Sequence, residues 1–274
     1  MITYDMSYDE YHDRLGIRSS RLKRARTSML HYREGSGGSN TSSRDVLKAI
    51  HCLVLEPHLF ATEYAMYDGK RDPRVILYQG WLACNPGVAA LKADEMERVQ
   101  RTADAILRHP VAGPLLSGPG RSEVTITWQD GPSGLDCKAR VDRLAGSPRA
   151  DQTIVDLKGY GTPSPRETGR TAHRLGADLQ AAHYRAGVYA ETGWLARCML
   201  VVYETTAPYD VAVYEIATSD LDRAAAERSL LLAQIASCEA SGVWPGCASE
   251  LEQLALPHYG GDEDVVVSDE VPSW

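Results

Sequence analysis

The segment from Leu135 to Lys158 constrains this chain more than any other. Leu135-Asp-Cys-Lys-Ala-Arg-Val-Asp142 alternates apolar and polar residues, the period-2 pattern of a half-buried strand. Ala145-Gly-Ser-Pro-Arg-Ala-Asp151 is rich in turn formers, and Thr153-Ile-Val-Asp-Leu-Lys158 is a β-branched run that predicts the next strand. Side chains two apart in a strand share a face, about 6.5–7 Å apart along the chain. Asp156 and Lys158 therefore point the same way, and a hairpin between the two runs brings Asp142 beside Asp156. Two carboxylates and an ammonium at one sheet edge are costly to gather unless something cationic binds there. A hard divalent cation with oxygen ligands is the natural partner.

Composition limits the alternatives. A chain of 274 residues with 43% hydrophobic content suits one large domain or two small ones with a real core. The expected layout is a single unit over 1–260, with a helical part over 1–110, a core over 120–240 and an acidic tail over 261–274. No apolar run reaches membrane-spanning length, and the polar, acidic N-terminus does not read as a signal peptide. The expected location is the cytoplasm, with no membrane partner. The six cysteines contain no C-x-x-C pair, which argues against a zinc ribbon, an iron–sulfur cluster and a disulfide framework. Seven acids and no Lys or Arg follow Ser241, so the first 240 residues carry only -1 of the net -8. Between Arg18 and Arg33 the sign reverses, with Arg21, Lys23, Arg24 and Arg26 on a predicted helix over 21–32. Those four are candidate DNA contacts; the plain alternative is a solvated helix face.

The remaining elements follow from caps and periodicity. Ser7-Tyr-Asp-Glu10 is a capping box for a helix over 8–15. Gly35 to Ser43 reads as a flexible loop, and Ser43 caps a helix over 44–55. On that helix Leu47, His51 and Val54 share a face, where a lone His is more often a core residue than a ligand. A charged turn over 67–74, an amphipathic helix over 87–108 and strands over 123–128 and 135–142 come next. After the strand over 153–159, a loop runs from Pro163 to Thr171. A helix to Thr192 then places Gln180 and Tyr184 one turn apart. Strands over 197–204 and 211–216 and a helix to about residue 240 close the pattern. The class is α/β, a central mixed sheet flanked by helices behind a helical N-terminal region.

Asp142, 13 intervening residues, Asp156-Leu-Lys158, and then Gln180-Ala-Ala-His-Tyr184 on a helix together resemble the PD-(D/E)xK nuclease superfamily. The Q-x-x-x-Y helix looks like its RecB-type and lambda-exonuclease-type branch. Ser19-Ser-Arg-Leu-Lys23, Ala49-Ile-His-Cys-Leu-Val-Leu-Glu-Pro57, His109-Pro-Val-Ala-Gly-Pro-Leu-Leu116, Glu123 to Trp128 and Leu254-Ala-Leu-Pro257 look like the RecE-type nuclease domain of exodeoxyribonuclease VIII. The resemblance implies a restriction-endonuclease-like core and a metal-dependent 5′-to-3′ exonuclease on double-stranded DNA ends, leaving 3′ tails for a single-strand annealing protein. It implies a ring-shaped homo-oligomer, a trimer or tetramer. It makes His51 a metal ligand beside Asp142, Asp156 and the Leu157 carbonyl, with Mg²⁺ as the ion and Mn²⁺ as a substitute. Lys158 then orients or deprotonates water or stabilises the phosphorane, Gln180 and Tyr184 support it, and Glu123 is a further carboxylate. Two departures stand out: Val141 replaces the motif's proline, and Gly159 replaces the Thr or Ser after the lysine. The alternatives are an endonuclease of the same superfamily, or a catalytically silent DNA-binding protein with this fold.

Overall fold

The computed structural model describes residues 1–4, 6–35, 42–147, 150–251 and 253–254. A short strand β1 (Ile2–Thr3) precedes five helices: α1 (Tyr8–Asp13), α2 (Ser19–Ala25), α3 (Met29–Glu34), α4 (Ser42–Leu55) and α5 (Pro57–Glu63). Next come β2 (Tyr64–Met66), α6 (Ile76–Cys84), β3 (Ala89–Leu91), α7 (Ala93–Arg108) and α8 (Ala112–Ser117). The core follows as β4 (Gly120–Gln129), β5 (Asp136–Ser147), β6 (Ala150–Gly159), α9 (Pro165–Arg174), α10 (Ala177–Thr192), β7 (Arg197–Tyr203), β8 (Val211–Glu215) and α11 (Thr218–Ser241). No helix among the described residues is long and apolar enough to cross a membrane.

Six strands form one mixed sheet in the order β1-β4-β5-β6-β7-β8. All neighbours are antiparallel except β6 and β7, which run parallel because α9 and α10 carry the chain back between them. Helices cover both faces. On one, Leu22 of α2, Tyr32 of α3, Leu179 and Val188 of α10, and Leu232 and Ile235 of α11 pack on Ile126, Val141 and Ile154. On the other, Ile50 of α4, Val99 and Ile106 of α7 and Leu116 of α8 pack on Val155, Leu157 and Val201. Burying each such side chain contributes about 1.5–3 kcal/mol, which holds β6 at the centre of the molecule.

Several boundaries differ from the sequence expectation. The basic helix over 21–32 is two helices: Ser28 is fully extended (φ -171°), and its hydroxyl accepts the His31 N–H at 3.1 Å to start α3. The helix expected from Gly87 starts at Ala93. Gly87 sits at φ +79°, and Ala89–Leu91 pair in parallel with β2 as a separate two-stranded sheet. The loop expected over 163–171 is largely α9, which Pro165 opens at its first turn. The strand expected to end at Asp142 continues to Ser147, and α6 follows the charged turn where no element was expected. Most of the Gly/Ser loop, the Ala255-Leu-Pro257 stretch and the acidic tail lie outside the described residues.

Candidate functional site

The sheet forks at the centre of the motif. β5 pairs with β6 from Ser147↔Ala150 to Arg143↔Val155 and then leaves it. Beyond that point β5 continues on β4 as far as Gln129↔Asp136, and β6 continues on β7 as far as Gly159↔Tyr203. The Leu157 N–H at the parting bonds the Asp142 carboxylate (Oδ2, 2.9 Å) instead of a β5 carbonyl. The β4 side is irregular too. Glu123 drops out of the ladder between Ser122↔Arg143 and Val124↔Val141, with φ +51°, a conformation uncommon for a non-glycine residue. Its carboxylate accepts from the Arg140 guanidinium, which also donates to the Met6 carbonyl. Burial raises the Glu123 carboxyl above its ordinary range, against the pull of Arg140.

Asp156 and Lys158 do share a face, the one covered by α10. Lys158 Nζ lies 2.5 Å from Asp156 Oδ2. Gln180 closes the other side: its Nε2 donates to Asp156 Oδ1 at 3.1 Å and to the Tyr184 hydroxyl at 2.9 Å. Its Oε1 accepts from Lys23 of α2 at 2.7 Å and from Lys158 at 3.5 Å. The i,i+4 spacing on α10 is what puts Gln180 and Tyr184 in one hydrogen-bonded pair. A second buried network holds α10 in place. His183 Nε2 lies 3.1 Å from the Ile17 and Lys138 carbonyls, its Nδ1 accepts from Arg228, and Arg228 pairs with Asp130 at 2.9 Å.

His51 reaches the fork from α4, on the opposite face of the sheet, with Nδ1 3.8 Å from Asp142 Oδ2. Both side chains are half-buried, as is Lys158, whereas Asp156, Gln180 and Tyr184 are buried. Burial, and then the charge of Lys158, pull the His51 imidazole down to about 4, so it is neutral at physiological pH. Burial, and then the charge of Asp156, push the Asp142 carboxyl well above the usual range. For Lys158 burial favours the neutral amine, but Asp156 and Asp142 outweigh it and hold the ammonium above its ordinary value. Gly159 is a close-approach position: a Cβ there would lie 2.3 Å from Leu47 Cδ2 and 3.2 Å from Tyr203 Cε2.

The structure thus brings together Asp142, Asp156, Leu157, Lys158, Gln180, Tyr184 and His51, with Glu123 beside them and salt-bridged. The cations expected to contact DNA are engaged within the molecule. The Arg21 guanidinium stacks on Tyr32, 4.1 Å from its centroid, and Arg26 pairs with Glu227 at 2.7 Å and Asp178 at 3.3 Å. Lys23 enters the site itself. Sequence spacing gave no signal for that, because the contact joins residues 157 positions apart.

No three His, Cys, Asp or Glu side chains among the described residues stand together as a ready metal cage, and Asp156 is paired with Lys158. The donor chemistry nonetheless fits a divalent cation. Asp142 and Asp156 offer carboxylate oxygens, His51 offers a neutral ring nitrogen, and the disfavoured charge on Asp142 is what a cation would relieve.

The model of a family described as "PDDEXK-like domain of unknown function (DUF3799)" matches residues 19–257. No curated protein matches the chain. Among solved structures, a protein from Eubacterium rectale described as a "putative exonuclease" superposes with a TM-score of 0.62, at 12% identity, over 93% of this chain and 97% of that one. That likeness establishes the shared fold. A second, SSO0001, reaches a TM-score of only 0.29 at 14% identity, over 78% of this chain and 85% of that one, too low to support a comparison. The matched span takes in the fork, the Asp156-Leu-Lys158 strand and the Gln180–Tyr184 helix, and the chain belongs to the PDDEXK-like family DUF3799.

Proposed function

We propose that this chain is a Mg²⁺-dependent deoxyribonuclease, a 5′-to-3′ exonuclease on linear double-stranded DNA that leaves 3′ single-stranded tails for recombination by strand annealing. The observation that carries the proposal is the convergence of Asp142, Asp156, Lys158 and Gln180 at the fork between β5 and β6. The family match and the printed description of the Eubacterium rectale protein support a nuclease. Polarity and the recombination role rest on the RecE-type resemblance. So do the annealing partner and the ring-shaped oligomer; a cytoplasmic setting is proposed from the composition.

Asp142, Asp156, His51 and the Leu157 carbonyl would hold the ion, Mg²⁺ or Mn²⁺. Bound there, the metal supplies charge neutralisation on the phosphoryl oxygens and Lewis acidity toward water. Lys158, whose ammonium both aspartates favour in the metal-free chain, would offer that ammonium to the phosphoryl group. Gln180 donates to Asp156 and so fixes that carboxylate's rotation, while the Tyr184 hydroxyl accepts the second hydrogen of the same NH₂ group. Glu123, held by Arg140, contributes negative charge at the β4 edge.

The test is digestion of end-labelled linear duplex DNA with Mg²⁺, comparing wild type with Lys158→Ala. Wild type should shorten the 5′ strands progressively, and Lys158→Ala should be slower by about 10²–10³-fold, as when one charge-stabilising donor is lost. Equal rates would refute the site. Cleavage of closed circular DNA would favour an endonuclease.

A further inference from the structure

We infer that Lys23 is a positioning residue of this site: from α2 it fixes the orientation of the Gln180 amide, and through it the carboxylate of Asp156. The inference rests on the nuclease reading for its consequence and on geometry for its substance. A glutamine amide is nearly symmetric in shape, but its two ends are opposite in hydrogen bonding. With the NH₂ toward Asp156 it donates to the carboxylate; turned over, its oxygen would face that carboxylate and repel it. Two contacts hold the oxygen end. Lys158 is at 3.5 Å and already committed to Asp156 at 2.5 Å, whereas Lys23 is at 2.7 Å. Lys23 is therefore the group that sets which end faces which way.

The route taken by Lys23 is built for this contact. Its stem crosses Gly176, the N-cap of α10, where a Cβ would lie 3.0 Å from Lys23 Cγ and 3.3 Å from Cδ. A glycine there serves both the left-handed turn (φ +68°) and the passage of the lysine. The placement is unfavourable for the ammonium: burial and then the neighbouring charge of Lys158 pull it down to about 8. A solvated surface lysine would carry no such penalty. Arg21 and Arg26 have other partners: Arg21 stacks on Tyr32, and Arg26, at the C-cap of α2, pairs with Glu227 and Asp178.

The experiment is a double-mutant cycle on the full chain with Lys23→Met, which keeps the stem and drops the ammonium, and Gln180→Ala. If Lys23 acts through Gln180, Lys23→Met slows cleavage at saturating DNA about tenfold, the scale of one charged hydrogen bond, with KM unchanged. Lys23→Arg restores most of the rate, and Lys23→Met has no further effect in the Gln180→Ala background. A rise in KM with a shallower salt dependence, equal in both backgrounds, would make Lys23 a direct phosphate contact and overturn the inference. So would an unchanged cleavage rate. The same cycle read on the unfolding midpoint without DNA or metal separates this idea from the nuclease reading. Non-additivity there supports the coupling even if the wild type cuts no DNA, and additivity overturns it.

Discussion

Position 159 shows how a single residue records its surroundings. The resembling family carries a hydroxyl residue after the motif lysine, and this chain carries glycine. A Cβ would sit 2.3 Å from Leu47 Cδ2, far inside van der Waals contact, and 3.2 Å from the Tyr203 ring. The Leu47 side chain of α4, the helix that delivers His51 to the fork, occupies the space a side chain at 159 would take. Gly159→Ser should therefore destabilise the protein by about 1–3 kcal/mol, the usual cost of overpacking a core. Truncating the neighbour, as in Leu47→Ala/Gly159→Ser, should cost less than the two single changes added together. Urea unfolding of the four proteins measures this, and strict additivity would show that the two side chains do not compete for the same space.

At the scale of elements, α10 carries the site's amide and phenol, and the Asp130–Arg228–His183 network pins it to the sheet. His183 is fully buried. Burial first, and then the charge of Arg228, pull its imidazole down to about 3. In the unfolded chain the same ring takes up a proton near its ordinary 6.5. The stability that depends on His183 being neutral is therefore present above about pH 6.5 and is lost progressively as the pH falls toward 3. His183→Gln cannot titrate, so its unfolding free energy should fall less steeply than that of wild type between pH 6.5 and 4, with a divergence on the order of a few kcal/mol. Parallel slopes would mean that the ring is not held neutral. The sequence revealed the end of α10 at Thr192 and the one-turn spacing of Gln180 and Tyr184 on it, and it revealed β6 through its β-branched run. It hid the break between α2 and α3, where one serine hydroxyl overrides a continuous helical pattern. It hid β3, whose three residues form a strand only because β2 lies beside them. The metal-site candidates on β5 and β6 were legible because a hairpin makes them neighbours. Lys23 was not, because only the packing of α2 against α10 brings it there.

For the whole molecule, the question is how a fold of net charge -8 tolerates several acids converging at one fork. Asp142 feels the charges of both Asp156 and Glu123, and only part of that is offset by Lys158 and the Leu157 N–H. A folded-state carboxyl held above its ordinary value contributes stability that is complete below the unfolded pKa, near 3.9, and is lost as pH rises through the folded value. At neutral pH without metal, the carboxyl of Asp142 is thus a net burden on the fold. Asp142→Asn should raise the metal-free unfolding midpoint, even though it removes a ligand. Mg²⁺ should reverse the ranking. An ion that binds only the folded chain adds about 2.7 kcal/mol at a hundredfold excess over its Kd, because the unfolded chain does not bring residues 51, 142 and 156 together. For a chain of this size that corresponds to roughly 5 °C in Tm. Thermal unfolding of wild type should therefore shift upward with added Mg²⁺, while Asp142→Asn and Asp156→Asn should stay nearly flat. If wild type were as insensitive to Mg²⁺ as the two variants, the fork would be no cation site, and the raised carboxyl of Asp142 would have to be explained by the protein's own charges alone.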